Sequence, residues 1–320
     1  MKWICCIVLL CLLSCDITVR RAERKTPAVE EPAAVFLIVL GTLQDGGSPH
    51  IGCKKKCCEN LFSEPDSKRK VVSLGIIDPA NKLNYLIEAT PDITTQLRIL
   101  KDNSPCKRSD VPDGIFLTHA HIGHYAGLMY FGKEAMNADS AKVYVMPRMK
   151  MFLETNGPWS QLVKLGNIEL EALDEANEIV LGSSLRISPF VVPHRDEYSE
   201  TVGYRIGGRK KKVLFIPDID TWSKWQTSIV EEIKKVDYAF IDATFFDAQE
   251  INNRAISQIP HPFVIESMEL FSGLPLEEKN KIYFIHFNHT SPLLDPRTEA
   301  SKAVIEKGFH IAKIGQLIEL

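Results

Sequence analysis

The chain holds eight cysteines in 320 residues, and none lies beyond Cys106. No disulfide framework can therefore staple the later two thirds of the molecule. Charge of one sign is also missing: 38 Lys and Arg against 41 Asp and Glu leave a net charge of −3. Nothing in that balance draws a nucleic acid or an anionic membrane surface. There is no internal repeat, no low-complexity tract and no second linker after residue 34. Nor is there an apolar run long enough to span a bilayer as a stable helix. What is present, 45% hydrophobic and 25% charged residues, suits a globular protein with one large domain. The basic runs Lys68-Arg69-Lys70 and Arg209-Lys210-Lys211-Lys212 read as solvated turns, the second between two strands.

The longest apolar run, Ile4 to Leu13, has signal-peptide length. It ends Leu12-Leu13-Ser14-Cys15, which resembles a bacterial lipobox. Residues 1–14 then read as a signal peptide and residues 15–34 as a tether lipidated at Cys15. The tether is rich in charge and proline, with little to bury. Residues 35–320 form the folded domain. This reading expects a lipid-anchored protein of the bacterial cell envelope. Past Cys15 only Cys53, Cys57, Cys58 and Cys106 remain. Disulfides and a metal cluster both account for them, but adjacent Cys57 and Cys58 can hardly bond to each other without strain.

Strands and helices alternate from Val35 onward. Val35–Leu40 is apolar throughout and runs into the glycine-rich Gly41-Thr42-Leu43-Gln44-Asp45-Gly46-Gly47. Val71–Ile77 and Leu83–Ile87 read as a hairpin across Asp78-Pro79-Ala80-Asn81. Ile93–Leu100, a segment from about Tyr125 to Met136, Arg148–Glu154, Ile229–Lys235 and Val264–Phe271 read as helices. Lys142–Met146, Ile168–Ala172, Leu185–Val192, Thr201–Ile206, Val213–Ile216, Tyr238–Ile241, Lys281–Ile285 and Ile314–Leu320 read as strands. The class is α/β, with sheets covered by helices.

Three of nine histidines fall in Thr118-His119-Ala120-His121-Ile122-Gly123-His124. They follow the strand-like Gly114-Ile115-Phe116-Leu117. In an extended segment residues i and i+2 point the same way, so His119 and His121 can share one cation. His124 opens the next element and can face a second position. Other apolar runs also end in ligand-capable side chains: Phe190–Pro193 in His194, Leu214–Pro217 in Asp218, and Tyr283–Ile285 in His286. Each alone is an ordinary turn residue, and the repetition is what points to a metal.

The order H-x-H-x-x-H, His, Asp, His resembles the metallo-β-lactamase fold superfamily. That resemblance implies a four-layer αββα sandwich with metal at one edge of the sheets. It implies that His119, His121 and His194 hold one ion. His124, Asp218 and His286 would hold a second, with Asp218 bridging. The superfamily usually carries aspartate where this chain has Gly123, which weakens the second site and keeps a single zinc or an iron site as alternatives. Glu88 takes the place of an early structural acid.

Gly41–Pro49, Ala89–Ile93 and Phe287–Pro292 together resemble the branch of coenzyme PQQ synthesis protein B. That branch lies near carbon–phosphorus lyase pathway phosphodiesterases and long-form ribonuclease Z. By resemblance to those phosphodiesterases, Cys53, Cys57, Cys58 and His289 would hold a structural zinc in a closed Cys3His shell. Asp242, at another strand end, is the candidate catalytic acid; it would orient a ligand histidine or touch substrate. Arg195 would meet an anionic substrate or pair on the surface with Asp196 or Glu197. The expected activity is metal-dependent hydrolysis of a small-molecule phosphodiester or related ester, with zinc, iron or manganese in the active site. An iron-dependent oxygenase and a non-catalytic lipid-anchored binding protein are the competing readings, the latter favoured by Gly123.

Overall fold

The computed structural model describes residues 34–106, 109–182, 184–251 and 259–320. The signal peptide of 1–14 and the tether as far as residue 33 lie outside the described residues.

Fourteen strands among the described residues form two seven-stranded sheets. In spatial order, the first holds Leu317–Glu319 (β14), Phe36–Gly41 (β1), Ser73–Asp78 (β2), Leu83–Ile87 (β3), Gly114–Phe116 (β4), Ala141–Val145 (β5) and Ile168–Ala172 (β6). The second holds His310–Ile311 (β13), Ile282–Ile285 (β12), Tyr238–Asp242 (β11), Lys212–Ile216 (β10), Val202–Gly207 (β9), Leu185–Val191 (β8) and Ile179–Leu181 (β7). The helices are Lys56–Glu59 (α1), Ile93–Asn103 (α2), Ile122–Tyr125 (α3), Pro147–Thr155 (α4), Trp159–Lys164 (α5), Ile229–Lys234 (α6), Val264–Leu270 (α7), Leu276–Lys279 (α8) and Glu299–Glu306 (α9).

The central strands are apolar on both faces because each face is covered. In β1, Leu37 and Val39 pack between the sheets while Ile38 and Leu40 pack under helices. In β10, Val213 and Phe215 face the first sheet, and Leu214 and Ile216 face the opposite way. Three hydrophobic layers result. One joins the sheets. A second joins the first sheet to α2, α4 and α5, through Ile93, Leu100, Met149, Leu153, Trp159 and Leu162. A third joins the second sheet to α6, α7 and α9, through Ile229, Ile233, Val264, Met268 and Val304. Helix, sheet, sheet, helix is the four-layer sandwich that the sequence led us to expect.

Strand direction then fixes the site. β1 and β3 each pair antiparallel with β2, so they run the same way, and β4 is parallel to β3. β8 and β10 each pair antiparallel with β9, and β10, β11 and β12 are mutually parallel. In each sheet the carboxyl ends of these strands therefore gather at one edge. The two edges meet: Gln44 donates its N–H to Phe287 O at 2.9 Å and Phe287 donates to Thr42 O at 2.8 Å, tying the exits of β1 and β12 together. Val202 N likewise donates to Thr118 O at 3.1 Å.

One expected element differs. The helix from about Tyr125 to Met136 is instead the short α3 followed by a tighter turn over Ala126–Phe131. Gly127 packs so close that a Cβ there would lie 2.1 Å from Thr90 O. Its N–H donates to Ala89 O at 2.8 Å, and Ala89 N to His124 O at 2.9 Å. Contacts across the fold replace the regular helical ladder. Helices α1, α5, α8 and α9 and the short strands β7 and β13 were not expected from sequence.

Candidate metal centre

The candidate ligands of the active site gather on this common rim, and all but His124, which lies in α3, sit just past the exit of a strand. His119 and His121 follow β4, His194 follows β8, Asp218 follows β10 and His286 follows β12. His119, His121, His194 and Asp218 offer atoms that all lie within 4.8 Å of one another. His194 Nε2 is 3.3 Å from His121 Nδ1 and 3.2 Å from Asp218 Oδ1, and His119 Nε2 is 3.4 Å from Asp218 Oδ2. Bonds of about 2.0–2.1 Å to a tetrahedral zinc put neighbouring nitrogen donors about 3.3–3.4 Å apart. The spacing is that of a cage around one small cation.

A second group shares Asp218. It joins His124, His286 and Asp45, again within 4.8 Å. His124 Nε2 lies 3.0 Å and His286 Nε2 3.4 Å from Asp45 Oδ1; both rings lie 3.8–3.9 Å from Asp218 Oδ2. Asp45 comes from the glycine-rich loop after β1. It was not among the expected ligands, and its only signal was its place just past a buried strand.

The far sides of two rings are hydrogen-bonded, and those of two others face carboxylates. Thr118 Oγ1 lies 2.8 Å from His119 Nδ1, and Thr244 Oγ1 lies 2.9 Å from His286 Nδ1. Asp220 Oδ1 is 3.3 Å from His194 Nδ1, and Glu88 Oε1 is 3.5 Å from His124 Nδ1. Such partners set which nitrogen faces a cation. Asp220 was not anticipated.

Asp242 is fully buried at the end of β11. It accepts from Ile219 N at 3.1 Å and from Thr244 N and Oγ1 at 2.9 and 2.7 Å. Its Oδ2 lies 2.9 Å from Nδ1 of His261, which is also 3.2 Å from Asp218 Oδ1. Asp242 thus lies against two histidine rings, His261 at 2.9 Å and the candidate ligand His286 at 3.7 Å. His261 was missed; flanked by Pro260 and Pro262 ahead of α7, it follows no strand and fits no ligand spacing. Arg195 is exposed and has no carboxylate within 4 Å among the described residues; Asp196 pairs with Arg148 instead, at 3.3 Å.

Apart from this rim, Cys53, Cys57, Cys58 and His289 also bring one donor each within 4.8 Å. Cys57 Sγ is 3.9 Å from both Cys53 Sγ and Cys58 Sγ. Zinc–sulfur bonds of about 2.3 Å put two tetrahedral thiolates about 3.8 Å apart. None of the four described cysteines is in a disulfide. Burial and the two neighbouring thiols push Cys57 up to about 12. Burial, with His50 and Lys55 nearby, takes His289 down to about 4, leaving it a neutral donor at physiological pH.

The electrostatics of the rim ask for a cation. Burial drives the His119 imidazole well below its usual range. Burial also acts against protonation of His194, yet Asp218 and Asp220 hold it at about 9. Burial would raise Asp218, but His194, His261 and His286 hold its carboxyl far below the usual range. Asp218 Oδ1 and His119 Nε2 are buried without any hydrogen-bond partner. A buried polar atom left unpaired is costly, and a shared divalent ion satisfies both. The donor set fits a metal cofactor.

A family model described as a beta-lactamase superfamily domain matches residues 83–287. The chain belongs to the metallo-β-lactamase superfamily. It is an enzyme of that superfamily by fold and by its metal-cofactor rim. Coenzyme PQQ synthesis protein B of Pseudomonas savastanoi pv. phaseolicola is 23% identical over 321 residues, covering 89% of this chain and 100% of the relative. Zn(2+)-bound PqqB from Methylobacterium extorquens matches with a TM-score of 0.72 and 18% identity, over 89% of this chain and 100% of that one. A diphosphatase from the PhnP family matches with a TM-score of 0.61 and 21% identity, over 90% and 98%. These likenesses bear out the branch that the motifs suggested.

Proposed function

We propose that this enzyme is a metal-dependent hydrolase of a small phosphodiester or related ester, with zinc in the active site. The carrying observation is the pair of ligand groups sharing Asp218 with the His261–Asp242 pair against it. His119, His121, His194 and Asp218 would hold one ion; His124, His286 and Asp218 would hold the other. A divalent ion bound there polarises a phosphoryl or carbonyl oxygen and acidifies water.

The chain's own groups supply the rest. Burial works against a proton on His261, but Asp242 and Asp218 raise its pKa to about 10. Its Nδ1 lies 2.9 Å from Asp242, a carboxylate outside both ligand groups that favours a proton on this ring, and Nε2 is its other ring nitrogen. As the water oxygen bonds to phosphorus and the leaving oxygen departs, that oxygen takes the His261 proton. The proton lost by the water restores the pair on turnover. Arg195, exposed one residue past His194, offers an anionic substrate a positive charge.

Two measurements test this reading. Elemental analysis of protein purified without oxygen should find zinc, and turnover should appear on an aryl phosphodiester panel. Iron with oxygen uptake would move the assignment to an oxygenase. Metal with ligand binding unaffected by His121→Ala, and no turnover, would leave a binder. His261→Gln should slow alkyl leaving groups about 10²–10⁴-fold while sparing p-nitrophenolate, which departs without a proton. Equal losses on both would remove His261 as the acid.

We further propose attachment to a bacterial cell envelope through lipidated Cys15, on the strength of Leu12-Leu13-Ser14-Cys15. Cys15→Ser should move the protein from the membrane fraction to the soluble one.

A further inference from the structure

Gly123 stands where a second-site carboxylate is expected, and its backbone gives no reason for glycine: it is absent from the positive-φ residues. The reason is steric. A Cβ at 123 would lie 2.5 Å from Asp45 Cα, 2.6 Å from Asp45 Cβ and 2.8 Å from Asp45 Cγ. Contacts that short do not occur, and the first is to backbone, which no rotamer change relieves. A side chain at 123 and Asp45 in its present place exclude each other.

We infer that Asp45 supplies, from the loop after β1, the second-site carboxylate that position 123 lacks, completing an Asp45–His124–Asp218–His286 cation site. The inference rests on the hydrolase reading above and names a ligand that the H-x-H-x-x-H run does not contain. Asp45 Oδ1 is 3.0 Å from His124 Nε2 and 3.4 Å from His286 Nε2. Both rings turn their other nitrogen to Glu88 or Thr244, so their Nε2 atoms are the ones facing Asp45. The loop is anchored next to Asp45: Gln44 N donates to Phe287 O at 2.9 Å, one residue beyond His286. Two carboxylates and two neutral imidazoles balance a dication and suit zinc, manganese or ferrous iron. The alternative is that Asp45 only hydrogen-bonds His124 and orients it.

Asp45→Asn separates the two, because it keeps the shape and the accepting oxygen but not the charge. Zinc content by elemental analysis, and cobalt titration followed by absorbance, read the sites without activity. Wild type should bind two active-site ions and the Cys3His ion. Asp45→Asn and Asp45→Ala should lose one active-site ion, weakening that site by about 100-fold or more. Asp45→Gly/Gly123→Asp should regain it, since the glycine at 45 opens the space that the aspartate at 123 needs. Circular dichroism confirms that each variant is folded.

Asp45→Asn with wild-type affinity for both ions would overturn the inference and leave the hydrolase reading standing. So would a double variant no better than Asp45→Gly. Wild type with a single active-site ion would also overturn it, whereas wild type with no active-site ion would overturn the hydrolase reading first.

Discussion

The 27-residue stretch from Gln44 to Lys70 buries only one side chain, Cys58. Its regular structure is four residues of α1 and one short turn. Burying a cysteine contributes on the order of 1 kcal/mol. A closed structural zinc contributes apparent energies of about 10–16 kcal/mol in small domains. Packing gives this segment little to hold it, a zinc on Cys53, Cys57, Cys58 and His289 would hold it, and Asp45 lies at its start.

Cys58→Ser removes one of four donors from the shell. Losing even about 3 kcal/mol of local stability raises the open population roughly hundredfold. Lys54, Lys55, Lys56 and Lys68 are exposed in the segment and are trypsin sites. We expect zinc per chain to fall by one and cleavage there to quicken about 100-fold, with the global melting transition still cooperative. Chelation of the wild-type protein should reproduce the cleavage. The variant should also bind active-site metal less tightly, because its Asp45 loop is then held only at the Gln44 end. Unchanged zinc content, or an unchanged cleavage rate with zinc lost, would refute the reasoning.

Three further outcomes are expected. Tyr204→Phe strands the buried Leu117 carbonyl that accepts the Tyr204 hydroxyl two residues before His119; it should cost about 1–3 kcal/mol in urea unfolding. Burial would raise Glu232, but its bonds to Lys235 and Arg205 lower it, so its stabilisation holds above the unfolded value of about 4.3 and fades as pH falls. The melting-temperature gap between wild type and Glu232→Gln should be widest near neutrality and close below about pH 4. Glu88→Gly should leave the metal-free protein no less stable, yet weaken second-site metal about 10–100-fold; a lowered melting temperature in chelator would contradict it.

The strands were legible because the fold covers both of their faces. Val213–Ile216, Tyr238–Ile241 and Ile282–Ile285 are near-continuous apolar runs, and a single sequence shows that directly. The ligands were legible because parallel strands deliver their ends to one edge, so His119, His194, Asp218 and His286 each closed a run. Asp45 and His261 follow another logic. Asp45 sits 79 residues before His124 and approaches it only because a glycine lets it. His261 is placed by the packing of α7. Helix α9 carried a readable start, Thr298 accepting from Ser301 N at 3.1 Å, but the proline-rich turn ahead of it hid the pattern. The expected helix from about Tyr125 failed for the opposite reason: Gly127 serves contacts with Ala89 and Thr90 that local sequence does not report.

Two residues at the rim show how core and site are related. Glu88, just past β3, and His286, just past β12, hold φ of 74° and 69°. That left-handed backbone costs a residue with a Cβ on the order of 1 kcal/mol or more. Glu88 is fully buried with both carboxylate oxygens lacking a hydrogen-bond partner, and His286 is fully buried too. Neither state would survive on its own local preferences. Each sits one residue past a strand whose other side chains are locked into the hydrophobic layers, Leu86 and Ile87 on one sheet and Phe284 and Ile285 on the other. The layers impose the strained turns, and the turns aim Glu88 at His124 and His286 at Asp45. A cation bound between these side chains would then be held by geometry that the core had already set, which is the condition for tight binding without reorganisation.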